Sequence, residues 1–172
     1  MSPTDRPPRA PTALSALDVL GVAIKSEIQA AQAYQQMMTL AESRDVKRKL
    51  RFLRDEERKH RTMLEEMYAK EYPGVKLELP TKGLAPQLST AITRDTPLVK
   101  LFELALDAEL ASERFYAEAA ERSESQTGRR LLAYLSGMER GHYFVLKSEY
   151  DLMQEFDRFE SYKRFSAEHV GP

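Results

Sequence analysis

Slid over itself by 82 residues without gaps, the sequence lays residues 23–68 on residues 105–150, and thirteen positions are identical. Roughly three would match by chance, so the chain carries an internal repeat. The matched pairs include Glu27/Glu109, Tyr34/Tyr116, Ser43/Ser125, Leu53/Leu135, Glu57/Glu139, His60/His142, Leu64/Leu146 and Tyr68/Tyr150. Two copies of one unit must fold alike and bury their apolar faces against each other.

Each unit reads as a helical hairpin. Ser15 followed by Asp18 is a capping pattern. From there apolar residues recur in steps of four and three: Leu20, Ile24, Ala31, Tyr34, Met38 and Ala41, with Glu27 among them. That spacing is one face of a helix turned to a core. "ESRD" interrupts it, with Ser43 or Asp45 as the next N-cap. A second seam runs Val46, Leu50, Leu53, Glu57, His60, Leu64, Met67. Residues 71–95 hold the proline- and glycine-bearing "EYPGVKLELPTKGLAP" and read as a long crossover. "DTPLVKLF" restarts the helix, with Thr96 as N-cap and Pro97 at the first helical position. The third seam is Phe102, Leu106, Glu109, Glu113, Tyr116, Ala120. After "RSESQTG" the fourth is Leu132, Leu135, Glu139, His142, Leu146, Met153. The expected architecture is all-α: a four-helix bundle over 13–153 with a two-fold internal repeat (about 15–70 and about 96–153). Residues 1–12, with four prolines, are expected to be a disordered arm. Residues 154–172 carry Phe156, Phe159, Tyr162 and Phe165 and are expected to form a short extra C-terminal helix.

Composition narrows the function classes. The 172 residues suffice for one domain with a core. A formal net charge of −1 lacks the basic excess of a non-specific nucleic-acid binder. No apolar run reaches membrane-spanning length, and the N-terminus has no apolar segment of signal-peptide type. Cysteine is absent, which removes disulfides, zinc ribbons and thiol chemistry and agrees with a cytoplasmic location.

The polar residues inside the seams carry the chemistry. Glu27, Glu57, Glu109 and Glu139 fall at mid-helix on faces that are otherwise apolar. Four carboxylates brought to one level of a core repel one another strongly unless cations join them. Two divalent ions bring +4 against −4. His60 and His142 add neutral donors, and in each Glu-x-x-His pair both side chains lie on one helix face. Mixed carboxylate and imidazole donors suit iron or manganese alike; this ligand pattern is a known one for di-iron and di-manganese bundles. The basic run "RDVKRKLRFLRDEERKHR" reads as the solvated face of the second helix.

At "KSEIQAAQAY", "DEERKH", "DAELASERFY" and "MERGHYFVL", over about residues 15–153, the chain resembles the rubrerythrin branch of the ferritin-like superfamily. The resemblance implies a ferritin-like bundle holding two iron ions on Glu27, Glu57, His60, Glu109, Glu139 and His142. Glu57 and Glu109, or their symmetry mates, would bridge or chelate. Rubrerythrins often carry a further glutamate three residues after the third-helix ligand. That position is Ser112 here, and Glu113 beside it is a displaced ligand, a proton relay, or a partner of surface charge. The cysteine-rich rubredoxin module of full-length rubrerythrins is missing, so electrons must come from a separate donor such as a rubredoxin. The haem-ligating methionine that follows the second-helix glutamate in bacterioferritins is Arg58.

The resemblance favours reduction of hydrogen peroxide at a di-iron site, an oxidative-stress function, and the long crossover and aromatic tail suggest a homodimer. Tyr34, Tyr116 and Glu113 are the candidates for moving protons or electrons; the tyrosines read equally as core fillers with satisfied hydroxyls. Iron oxidation by dioxygen, di-manganese catalase activity and a non-catalytic bundle are the alternatives. Gly137 and Gly141, flanking Glu139, either open room for substrate, allow a helix bulge, or permit close packing.

Overall fold

The computed structural model describes residues 15–84, 92–93 and 95–169, with side chains as far as Phe159. Four helices make up the fold: α1 (Ala16–Leu40), α2 (Arg44–Glu71), α3 (Leu98–Arg122) and α4 (Gln126–His169). There is no strand among the described residues. No described helix is long and apolar enough to cross a membrane. The arm expected over residues 1–12 lies outside the described residues.

The helix starts follow from local chemistry. Ser15 Oγ accepts from the Asp18 amide at 3.1 Å, and the Asp18 carboxylate accepts from the Ser15 amide at 3.1 Å, closing a capping box. Ser43 Oγ caps α2 through the Val46 amide. Its repeat mate Ser125 caps α4 through the Gly128 amide at 3.1 Å. α3 starts one residue later than expected: Pro97 stands at the N-cap and Leu98 is first in the helix. The Pro97 carbonyl still accepts the first α-helical hydrogen bond, from the Leu101 amide at 3.3 Å, and a tighter-turn bond from the Lys100 amide at 3.0 Å.

α1 packs along α2 and α3 along α4, and the two hairpins meet across the pseudo-two-fold axis. Two apolar layers result. One joins Met37, Leu50, Leu53, Leu101, Phe102 and Leu146. The other joins Leu20, Ile24, Leu64, Tyr116, Leu132 and Leu135. Each layer draws on all four helices, from opposite ends of the bundle. The glutamates and histidines of the seams lie at mid-helix, between the two layers.

The crossover after α2 turns at Gly74, whose φ of 81° is open to glycine but strained for other residues. It then runs along α1. The Gly83 amide donates to Gln29 Oε1 at 2.8 Å and the Leu84 amide to Ser26 Oγ at 2.9 Å. A Cβ on Gly83 would lie 2.9 Å from Ser26 Cα, so only glycine permits this approach.

The tail corrects one expectation. α4 does not end near Met153 with a short helix after it; one helix of 44 residues runs on to His169. Nothing in "LMQEFDRFESYKRF" breaks it: the segment holds neither proline nor glycine. Leu152, Phe156 and Phe159 lie exposed along its outer part.

Candidate metal centre

Glu57, His60, Glu139 and His142 each bring one donor atom to a common point, all within 4.8 Å of one another and all buried. The i, i+3 spacing on α2 and on α4 turns each Glu-x-x-His pair to the same inner face. Glu27 on α1 and Glu109 on α3 close the two sides. Glu27 Oε2 is 3.6 Å from His60 Nδ1, and Glu109 Oε2 is 3.7 Å from His142 Nδ1. The imidazoles stack, with ring centres 5.2 Å apart. All six side chains are 3 % exposed or less.

The two-fold symmetry of the sequence reappears as geometry. Glu57 lies 3.3 Å from His60 Nδ1 through Oε2 and 3.0 Å from His142 Nδ1 through Oε1. Glu139 does the same, at 3.1 Å and 3.6 Å. Glu27 and Glu109 each approach a single histidine. The central carboxylates therefore belong to α2 and α4, and the flanking ones to α1 and α3.

A second ring of contacts orients the flanking pair. The Tyr34 hydroxyl donates to Glu109 Oε1, and the Tyr116 hydroxyl donates to Glu27 Oε1. Each tyrosine crosses from one hairpin to a glutamate of the other. The remaining oxygen of each of these glutamates stays turned toward a histidine.

Eight atoms of the cluster have no hydrogen-bond partner: both oxygens of Glu57, Glu109 Oε2, Glu139 Oε1 and all four imidazole nitrogens. Buried donors and acceptors left so are costly. One such atom from each of Glu57, His60, Glu139 and His142 meets the others within 4.8 Å, and mixed oxygen and nitrogen donors so gathered are the donor set of a metal site.

Charge within the protein alone agrees. Burial, then the charges of Glu139 and Glu57, push Glu27 and Glu109 well above the usual carboxylate range. Burial works to raise Glu57, but the two histidines outweigh it and hold Glu57 below that range. Burial works to lower His60; Glu139, Glu27 and Glu57 outweigh it and push His60 up to about 12. His142 is raised for the same reason by Glu109, Glu139 and Glu57. Protons thus hold the places that cations would take, and an entering metal must displace them.

The structure takes Glu113 elsewhere. Its carboxylate meets Arg140 at 2.9 Å, beside a hydrogen bond from Ser136 Oγ to its backbone carbonyl. It is not among the carboxylates within reach of either histidine, and the surface-charge alternative describes its position. Its repeat mate Ala31 is buried. A Cβ on Gly137 or Gly141 would meet nothing within 4 Å, so neither glycine serves close packing. Sequence reasoning did not single out Phe52, which is half exposed and presents its ring edge to His142 with centroids 6.5 Å apart. Its repeat mate Tyr134, also half exposed, is the one signal that could have drawn notice.

The sequence model of the family described as Rubrerythrin matches residues 18–150. The chain belongs to the rubrerythrin family. A similar solved structure is the hypothetical protein Pfu-1136390-001 from Pyrococcus furiosus, at 31 % identity and a TM-score of 0.77, covering 83 % of this chain and 92 % of that one. A second is the dodecameric thioferritin of Bacteroides fragilis, a bacterioferritin-related protein, at 18 % identity and a TM-score of 0.63, covering 85 % and 88 %. That second likeness shows the shared bundle alone. No curated protein matches. Membership of the rubrerythrin family and the ferritin-like bundle together account for a buried Glu/His cluster at mid-helix.

Proposed function

We propose that this rubrerythrin-family protein holds two iron ions and reduces hydrogen peroxide with electrons from a separate donor protein. The observation that carries the reading is the set of unpartnered donor atoms on Glu57, Glu109, Glu139, His60 and His142, buried between two apolar layers. Glu57 and Glu139, each within reach of both histidines, would hold the ions together with Glu27 and His60 on one side and Glu109 and His142 on the other. When bound, a pair of ferrous ions supplies two electrons, one from each ion, so that peroxide and two protons give two waters.

The chain's own groups do the rest. Tyr116 and Tyr34 fix the rotamers of Glu27 and Glu109 through one oxygen and leave the other for binding. These hydroxyls also stand one hydrogen bond from the site as proton donors. The apolar layers on either side exclude bulk water and strengthen every charge interaction within. The reductant is a separate donor protein such as a rubredoxin. A homodimer in the cytoplasm is the expected setting.

The test is anaerobic. The protein is loaded with Fe(II), and its oxidation by hydrogen peroxide and by air-saturated buffer is followed through near-ultraviolet oxo-bridge absorption. Much faster reaction with peroxide at two irons per chain supports the proposal. Faster reaction with dioxygen moves the function to iron oxidation and handling. No iron-dependent signal with either oxidant removes both.

A further inference from the structure

The internal repeat makes the two ends of the bundle comparable residue by residue, and they are not alike. At one end the core is filled by Met37, Phe102 and Leu98. Their mates 82 residues away are Ala119, Leu20 and Ala16, all three on the wall of the other end. Three larger side chains at one end thus answer to three smaller ones at the other. The fourth such pair, Val46 and Gly128, adds no space, since a Cβ on Gly128 would lie 2.9 Å from Met67 Cε. At the second end a cavity of about 610 Å³ opens, walled by Val19, Leu20, Met67, Phe115, Ala119 and Leu132. Phe115, opposite Ala33, runs the other way in size, and its ring forms part of the wall. The mouth changes in kind as well. Glu71 and Arg122 stand where the filled end has Met153 and Leu40.

An end of a four-helix bundle need not be hollow, since the repeat mates at the other end fill it with Met37, Phe102 and Leu98 beside the Lys49–Glu149 ion pair. Interiors are ordinarily packed to crystal density, and a void of this size forfeits contacts along its whole lining. The volume lies within the range of small-molecule sites. Its mouth carries Glu71, Glu118 and Glu124 against Arg122. Arg122 is turned to Glu118 at 3.7 Å. Among the described residues, Glu71 and Glu124 have no cation within salt-bridge distance.

We infer that the hollow end is a binding site for a small amphiphilic cation, an alkyl or aryl amine. The apolar body fills the chamber and the ammonium group lies at the mouth between Glu71 and Glu124. Leu20, Ile24, Tyr116 and Leu135 stand fully buried between the chamber and the Glu/His cluster. The site is therefore separate from the proposed metal centre and does not depend on that reading.

The probes are octylamine, octanol and octanoate, titrated calorimetrically into the full chain. Octylamine should bind at one site per chain, octanol more weakly, and octanoate about tenfold or more weaker than octylamine. Ala119→Met with Leu20→Phe restores the side-chain sizes of the filled end. It should abolish octylamine binding while helicity and metal content stay at the parent values. Glu71→Gln, at the rim and outside the packed core, should weaken octylamine several-fold and leave octanol unchanged; it keeps the test decisive if the double variant misfolds. Octylamine that fails to bind, that binds the filled variant as well as the parent, or that binds no better than octanoate overturns the inference.

Discussion

Glu57 lies between the two histidines, with Oε2 3.3 Å from His60 Nδ1 and Oε1 3.0 Å from His142 Nδ1. Glu27 approaches only His60, at 3.6 Å. Substitution at the two positions should therefore differ in stoichiometry. Glu57→Gln keeps the shape but removes a charge shared by both ions, and metal content should fall below about one ion per chain. Glu27→Gln should leave about one. Elemental analysis of protein loaded anaerobically and desalted reads the difference directly; equal loss from both variants would show that the carboxylates are not divided into central and flanking pairs.

Tyr34 and Tyr116 test whether the two hairpins hold each other's glutamates. Tyr116→Phe removes the one hydrogen bond that Glu27 Oε1 receives, and Tyr34→Phe does the same for Glu109. Each lost bond to a buried carboxyl should cost about 1–3 kcal/mol of metal-free stability and lower metal affinity about 10–100-fold. The two variants should behave alike because their surroundings are related by the repeat. Chemical denaturation and competition with a chelator measure the two effects.

The repeat and the seam spacing told most of this arrangement in advance, because both are periodic. Glutamates on an apolar stripe can go nowhere but the core, and their mates 82 residues on must follow. Glu113 shows where periodicity fails. Its seam position matched Ala31, but a side chain longer than alanine's can reach from that place to Arg140 on α4. Glu57 and Glu139 as the central pair could not be read either: the Glu-x-x-His spacing sets them apart from Glu27 and Glu109, but spacing along a helix does not say how far each carboxylate reaches across the site. The tail was misjudged for another reason: a change in amphipathic pattern after Met153 marks where packing on the bundle ends, not where the helix ends.

Glu113→Gln should change little. The side chain pairs with Arg140, which is 63 % exposed, and an ion pair so open to water contributes under about 1 kcal/mol. Peroxide-driven oxidation of the loaded protein should stay within about twofold of the parent. A tenfold or greater loss in stopped-flow rate would restore Glu113 as a proton relay.

The protonation pattern of the cluster sets how metal and pH act together. Glu27 and Glu109 have raised carboxyl values, so the folded metal-free protein binds more protons there than the unfolded chain does. Stability of that form therefore falls as pH rises above the ordinary carboxylate range. His60, raised to about 12, adds a contribution that is complete below its unfolded value near 6.5 and fades as pH climbs toward 12. Glu57, lowered, works in the opposite sense: its contribution is present above the unfolded value and disappears in acid. The metal-free protein should thus be most stable in mild acid and lose stability steadily through neutral and alkaline pH. Divalent ions replace the same protons and bind better as protons become scarce. The gap in Tm between loaded and metal-free protein should widen from pH 5.5 to 8.5. Thermal melts of both forms at fixed ionic strength and fixed metal concentration check this. A constant gap would mean that binding releases no protons from the Glu/His cluster.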